Sequence, residues 1–140
     1  MTLDDIYNHA LSFYGIPYEW GGDGTKYGYD CSGYVQKILQ FAGIDPPGDQ
    51  AAHNLYQWAQ VKGTPLKARG SLAFFGTAER CTHVGWMIDD KIMISAAGGG
   101  SNCKTPHIAK SLNAYIKIQP ISWYKTPPFL GAWMPRYKFT

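Results

Sequence analysis

The chain has 140 residues, of which 45% are hydrophobic and 16% charged, and its net charge is +3. This length fits one domain with a core of its own, and the composition excludes an intrinsically disordered tail. No apolar run approaches the roughly 20 residues that a membrane-spanning helix needs. No basic aromatic motif of a known nucleic-acid binder appears either, so we expect no nucleic-acid partner.

Charge is unevenly distributed along the chain. Residues 91–140 hold seven basic residues and no acidic ones, whereas residues 1–90 hold six basic and ten acidic residues. This asymmetry favours an anionic partner, such as a cell-wall polymer, a membrane surface or a nucleic acid. It is equally compatible with an ordinary solvated surface.

The first residues, MTLDDIYNHA, lack the basic and then apolar pattern of a signal peptide. We therefore expect no signal peptide, and export would need another route.

The first half of the chain is predicted to be helical. Helices are expected over residues 2–14, from near Cys31 to a stop at Gly43, and over residues 50–60. Thr2 and Asp5, three residues apart, form a weak capping-box signal for the first helix. Five glycines and a proline between residues 15 and 29 indicate a loop before the second helix.

The second half of the chain is predicted to form strands. The expected strands cover residues 72–75, 84–88, 92–96, 115–121 and a short one at 133–134. Residues 97–113 are polar and rich in glycine, which indicates a loop. Helices followed by antiparallel strands are typical of the α+β class. With no repeat and no long linker, residues 1–140 are predicted to be a single domain.

Cys31 is the candidate nucleophile. It lies between Asp30 and Ser32 at the point where a glycine-rich loop becomes a helix, and Asp30 can serve as the N-cap. The first-turn N–H groups have no helical partner, and the helix end carries a partial positive charge. Both effects favour thiolate over thiol, so we expect a cysteine at this position to be an activated nucleophile.

His83 is the candidate base. It begins a predicted strand directly after a loop, so its ring would stand at the sheet edge beside the helix end. The other histidines fit less well, since His9 is expected at the surface and His107 in an exposed loop. His53, near the third helix, could reach the same cleft.

Ser95 is the candidate that orients the imidazole. If the turn between two strands is Asp89-Asp90-Lys91, then Gly85 pairs with Ser95, and His83, Gly85 and Ser95 share one face of the sheet. A two-residue turn would instead place Ser95 on the opposite face. The sequence does not decide between these two registers. It is equally compatible with Ser95 being an ordinary strand residue without a role in catalysis.

The three cysteines, Cys31, Cys81 and Cys103, cannot all be paired. One Cys81–Cys103 bridge is compatible with the sequence, and so are free thiols. No CxxC motif or paired Cys/His spacing suggests a metal site. We expect neither a metal nor a cofactor.

Four segments in the expected order resemble the NlpC-type (NlpC/p-sixty) cell-wall cysteine peptidase family. Residues 17–22 read PYEWGG and residues 30–33 read DCSG, which resemble the motifs around the nucleophile of that family. Residues 69–76, RGSLAFFG, and 83–96, HVGWMIDDKIMISA, resemble its first long strand and its histidine-bearing hairpin.

The resemblance implies a papain-like core with amino-terminal helices packed on an antiparallel sheet. It implies hydrolysis of peptidoglycan stem peptides at the bond between γ-D-glutamate and the diamino acid. By position, Cys31 would be the nucleophile and His83 the base. Tyr18, Asp30 and Ser32 would line the substrate site, with the Tyr18 hydroxyl near the oxyanion and Asp30 paired with a free stem-peptide amine.

Two features leave alternatives open. Ser95 stands where the family usually has His, Asn or Gln, which would orient the imidazole less firmly. An amidase, deamidase or acyltransferase on the same fold, or a non-catalytic wall-binding or tail component, is therefore also compatible with the sequence.

Residues 129–137, FLGAWMPRY, resemble the ends of phage-encoded members, which would suit a wall hydrolase delivered by a virion or tail assembly.

Overall fold

The computed structural model describes residues 1–139. Its helices are α1 (Leu3–Leu11), α2 (Cys31–Phe41), α3 (Ala52–Lys62) and α4 (Pro106–Ser111). Its strands are β1 (Thr64–Pro65), β2 (Leu72–Gly76), β3 (Cys81–Met87), β4 (Ile92–Ala97), β5 (Tyr115–Pro120) and β6 (Phe129–Met134). The strands form one antiparallel sheet in the order β1-β6-β2-β3-β4-β5, and the predicted α+β class is confirmed.

The helices begin where their sequences supply caps. Thr2 and Asp5 form the expected capping box of α1, with Thr2 Oγ1 accepting from the Asp5 N–H at 3.2 Å and Asp5 Oδ2 accepting from the Thr2 N–H at 2.8 Å. This helix ends at Leu11, three residues before the predicted end at residue 14. Helix α2 ends as expected, because Gly43 follows its last turn with a φ of 76° that favours glycine.

The main core lies between α1–α3 and one face of the sheet. Helix α2 is central to it, since eight of its eleven residues are buried. Its Tyr34, Ile38 and Leu39 side chains are fully buried in the same apolar cluster as Trp86 of β3 and Ile94 of β4. Fully burying each aliphatic side chain stabilises the fold by roughly 2 kcal/mol. This packing fixes α2, and hence Cys31, against β3.

The opposite face of the sheet carries a smaller apolar cluster. Ala73, Phe75, Met87, Met93 and Ala132 are buried there. The chain crosses this face between β5 and β6, and Ile121, Tyr124 and Phe129 pack against the cluster. Because Phe75 pairs with His83, the imidazole belongs to this second face, at the end where β3 begins.

The hairpin between β3 and β4 has the three-residue turn that places Ser95 on the face of His83. Trp86 pairs with Ile94 and Met87 with Met93, and the Ile88 N–H donates to the Ile92 carbonyl at 2.8 Å. The turn is stabilised by Asp89, whose Oδ1 accepts from the N–H groups of Lys91 and Ile92, each at 2.8 Å.

The structure corrects the extent of two predicted segments and adds one strand that was not predicted. The stretch 97–113 is not all loop, because α4 forms within it, with Thr105 as N-cap and a proline in its first turn. Strand β6 has six residues rather than two, since it pairs along β2 as well as with β1. The two-residue strand β1 carried no periodicity that could have identified it.

No helix among the described residues is long and apolar enough to cross a membrane. Within residues 1–139 all three cysteines are free thiols, so the Cys81–Cys103 bridge does not form. Cys81 Sγ lies 3.5 Å from the His83 carbonyl oxygen and Cys103 Sγ lies 3.4 Å from that of Tyr18.

Candidate active site

Asp30 holds the beginning of α2, and with it Cys31. Its Oδ1 accepts from the Gly33 N–H at 2.6 Å and from the Ser32 hydroxyl at 3.2 Å. The Asp30 N–H donates to the Gly22 carbonyl at 3.0 Å, and a Cβ at position 33 would collide with that carbonyl. The two glycines therefore let the preceding loop close on the helix end, which leaves Cys31 little freedom.

The Cys31 thiol lies against β3 at Thr82–Val84, where β3 and β4 separate. In the described chain the β3–β4 ladder consists of Trp86–Ile94 and Met87–Met93, so it does not extend to His83. The thiol points toward the Thr82 carbonyl oxygen at an Sγ–O distance of 4.0 Å. Backbone hydrogen bonding from Val84 and Ser32 lowers the pKa of Cys31 and so favours its thiolate form.

His83 of β3 and Ser95 of β4 lie in the region where these two strands separate. His83 Nε2 is 3.3 Å from Ser95 Oγ, and both residues are buried. Gly85 makes the approach feasible, because a Cβ there would lie 3.2 Å from the Ser95 Cβ and 2.6 Å from the Met93 sulfur. The contact with Ser95 leaves Nδ1 as the ring nitrogen available to a proton from elsewhere.

Cys31 and His83 line the same cavity, of about 430 Å³. Burial raises the pKa of Cys31 to about 12, and the negative charge of Asp30 is the next largest cause. Burial also lowers the pKa of His83 to about 4. Hydrogen bonding from Val84 and Ser32 favours the thiolate, as the position at the helix end suggested, but burial has the larger effect on the pKa of Cys31 in the unliganded site.

Tyr18 lies where two cavities meet. It lines the cavity of Cys31 and His83 and also a second one, of about 390 Å³. Burial, followed by the nearby Cys31 and Asp30, raises the pKa of its hydroxyl, so the hydroxyl remains a proton donor at neutral pH. Gly99 borders the Tyr18 ring so closely that a Cβ there would overlap it.

The second cavity contains the other residues expected at the substrate site. Asp30 and Ser32 line it together with His53 and Arg80. His53 thus reaches the cleft, as the sequence allowed, and its Nδ1 accepts from the Cys81 N–H at 3.0 Å. His9 lines neither of these two cavities; it is half-buried and stacks on Phe41 at a ring-centroid distance of 4.0 Å.

Several cavity residues were missed by the sequence analysis. Lys117 and Gln119 of β5 line the first cavity, and the alternation predicted for that strand would have placed both on the face of Ser95. Trp123 and Tyr124 line it from the segment between β5 and β6, for which the sequence held no signal. Among the described residues no group of three or more His, Cys, Asp or Glu side chains could hold a metal ion.

The sequence profile of the NlpC/P60 family matches residues 15–119. A γ-D-glutamyl-L-lysine dipeptidyl-peptidase of Bacillus subtilis is 34% identical over 128 residues, covering 86% of this chain and 38% of the relative. The bifunctional muramidase/DL-endopeptidase CwlT of the same organism is 33% identical over 100 residues, covering 69% of this chain and 30% of the relative. The match thus covers well under half of the length of either relative.

Solved structures share the same fold. The NlpC/p60 domain of the peptidoglycan hydrolase SagA superposes with a TM-score of 0.65 at 25% identity, over 95% of this chain and 98% of that domain. A lipoprotein-like NLP/P60 protein of Staphylococcus aureus superposes with a TM-score of 0.69 at 23% identity, over 97% of this chain and 42% of that protein. The second likeness concerns the fold alone.

Proposed function

The chain belongs to the NlpC/P60 family, and we propose that it is a cysteine peptidase that hydrolyses peptidoglycan stem peptides between γ-D-glutamate and the diamino acid. The observation that carries this proposal is the meeting of Cys31, at the start of α2, with His83 in one cavity. Two relatives are named for a γ-D-glutamyl-L-lysine dipeptidyl-peptidase and a DL-endopeptidase activity, which supports the choice of bond.

In the proposed mechanism the neutral thiol is activated when substrate binds. His83 Nδ1 accepts the Cys31 proton while the sulfur attacks the amide carbonyl, and Nε2–H donates to Ser95. The Cys31 N–H and the Tyr18 hydroxyl donate to the oxyanion. The His83 imidazolium then protonates the leaving amine, the C–N bond breaks, and a thioester remains. Water, deprotonated by His83, releases the acyl group and restores the thiol.

We infer the two sides of the cleft from the position of His83. Because the general acid must reach the leaving amine, the diamino acid occupies the cavity that His83 lines. The γ-D-glutamyl side then occupies the second cavity, beside Asp30 and Ser32. Burial raises the pKa of Asp30, while the hydrogen bonds from Gly33 and Ser32 oppose the rise. In this proposal Asp30 binds a free stem-peptide amine in addition to capping α2.

The wider biological setting is also a proposal. We propose residues 1–140 as one catalytic domain, although Thr140 lies outside the described residues, and the cell wall as the place of action. Delivery by a phage virion rests on residues 129–137 alone and stays a prediction from sequence.

The reaction is tested with defined muropeptides and mass spectrometry. We expect the purified chain to cut between D-glutamate and the diamino acid, and a Cys31→Ala variant to yield no product. Loss of ammonia without chain cleavage, or transfer of the acyl group to an added amine, would instead identify an amidase, deamidase or acyltransferase. Tight binding to cell walls without any cleavage would identify a non-catalytic component.

A further inference from the structure

The ring of Tyr124 packs directly against the imidazole of His83. Their centroids are 4.7 Å apart with an interplanar angle of 43°. Phe75 completes a triangle of rings, with its centroid 5.6 Å from that of His83 and 5.2 Å from that of Tyr124. His83 is only 8% exposed, and both rings pack against it.

Tyr124 is held in this position by the segment that carries it. The segment 121–128 is tied to the sheet at both ends, by the Ile121 N–H donating to the Lys91 carbonyl at 2.8 Å and by the Gly76 N–H donating to the Pro128 carbonyl at 2.9 Å. Tyr124 itself packs on the apolar cluster of the second sheet face, whereas its neighbour Trp123 is 66% exposed. Of these two neighbouring aromatic residues, Tyr124 is therefore the one that packs on the sheet.

The hydrogen bond between His83 and Ser95 restrains the imidazole at one atom. A single contact at Nε2 at 3.3 Å fixes one direction of the ring but opposes rotation about that direction weakly. A ring packed on the imidazole opposes that rotation, because turning would open a gap or create a clash in a close-packed region. The Tyr124 ring lies nearer to the imidazole than the Phe75 ring does, and is therefore the better placed to oppose that rotation.

We propose that Tyr124 is a positioning residue for His83, which acts by packing its ring on the imidazole and keeping water from it. The catalytic consequence rests on the proposed peptidase function, whereas the effect on the imidazole itself does not. The hydroxyl of Tyr124 has no part in this role.

The environment of His83 gives the proposal a measurable signature. Tyr124 is the titratable group whose ring contacts the imidazole, Cys31, Tyr18 and Lys117 line the same cavity, and the Cys81 thiol contacts the His83 backbone carbonyl. Burial, rather than a neighbouring charge, is what lowers the pKa of His83. Removal of the Tyr124 ring would admit water and move that pKa back toward the ordinary value of 6.5.

The test is an NMR titration of the His83 ring in the full chain, with kinetics on a muropeptide. In Tyr124→Ala we expect the titration midpoint to rise by about one pH unit or more and kcat to fall about tenfold, with a smaller change in KM. In Tyr124→Phe, which keeps the ring, the titration midpoint should not move and kcat should stay within about twofold of that of the unsubstituted chain. Phe129→Ala is the matched control, because Phe129 packs on Phe75 at 5.5 Å in the same cluster. Its midpoint should not move.

An unchanged midpoint and kcat in Tyr124→Ala would overturn the proposal, as would an equal rise in Phe129→Ala, which would indicate general loosening. Loss of kcat in Tyr124→Phe would also overturn it by assigning the effect to the hydroxyl, and this holds even if Tyr124→Ala does not fold. An unsubstituted chain that cleaves no muropeptide would refute the proposed function instead, and the midpoints would still decide the role of Tyr124.

Discussion

Replacement of Asp30 separates its capping role from its charge. In Asp30→Ala the Gly33 N–H loses an acceptor at 2.6 Å, and loss of an N-cap costs about 1 kcal/mol. The buried Ser32 hydroxyl loses its partner as well, which costs about 1 kcal/mol more. We expect a total loss of about 2 kcal/mol in the free energy of unfolding, equivalent to a fall of roughly 6 °C in Tm for a domain of this size.

Asp30→Asn is the matched variant, since its side-chain oxygen can still cap the helix. Its free energy of unfolding should stay within about 0.5 kcal/mol of the unsubstituted chain. Because the charge of Asp30 raises the pKa of Cys31, the Asn variant should have a lower thiol pKa.

Urea denaturation gives the stabilities, and the rate of Cys31 alkylation by iodoacetamide across pH gives the thiol pKa. The reasoning is refuted if Asn destabilises the fold as much as Ala does. It is equally refuted if the thiol pKa of the Asn variant is unchanged or raised.

Three further predictions follow from the same site. Ser95→Ala should lower turnover about tenfold or less, because a neutral hydroxyl contributes little as orienter, and a loss as large as that in His83→Ala would contradict this. Since burial depresses the pKa of His83 to about 4, the unfolded chain binds a proton there first as pH falls below 6.5. Lowering the pH from 7 to 4.5 should therefore reduce the free energy of unfolding by about 2 kcal/mol through His83 alone. The His83→Gln variant lacks this titration, so urea denaturation should show that its free energy of unfolding falls by about that much less over the same pH range. Lys117 is the one cationic side chain among the described residues that line the proposed leaving-group cavity, so Lys117→Glu should lower kcat/KM about fivefold more for diamino acids with a second carboxylate than for those without one. Equal effects on both substrates would contradict that assignment.

Local chemistry made the centre of the site predictable. The capping of α2 by Asp30 depends on residues within three positions of each other, so the sequence contained all that was needed to place Cys31 at a helix start. The face of Ser95 depended on one turn, which Asp89 stabilises through bonds to residues two and three positions away.

Properties that depend on contacts between distant parts of the chain could not be predicted from local sequence patterns. The protonation state of Cys31 depends on its burial against β3, which outweighs the helix-end effect that the sequence suggested. The contact of Tyr124 with His83 joins residues 41 positions apart through a segment without periodicity. Helix α4 has only six residues, too few for the spacing of its apolar residues to reveal a helical period.

The central claim is that Cys31, among the three thiols of the chain, performs the chemistry. All three cysteines are buried, so Cys81→Ala and Cys103→Ala are matched controls for Cys31→Ala. The direct measurement is the rate at which each variant cleaves one defined muropeptide, followed by mass spectrometry. We expect the Cys81 and Cys103 variants to cleave the γ-D-glutamyl bond and the Cys31 variant not to cleave it. Cleavage of that bond by a folded Cys31→Ala variant at the rate of the unsubstituted chain would contradict it.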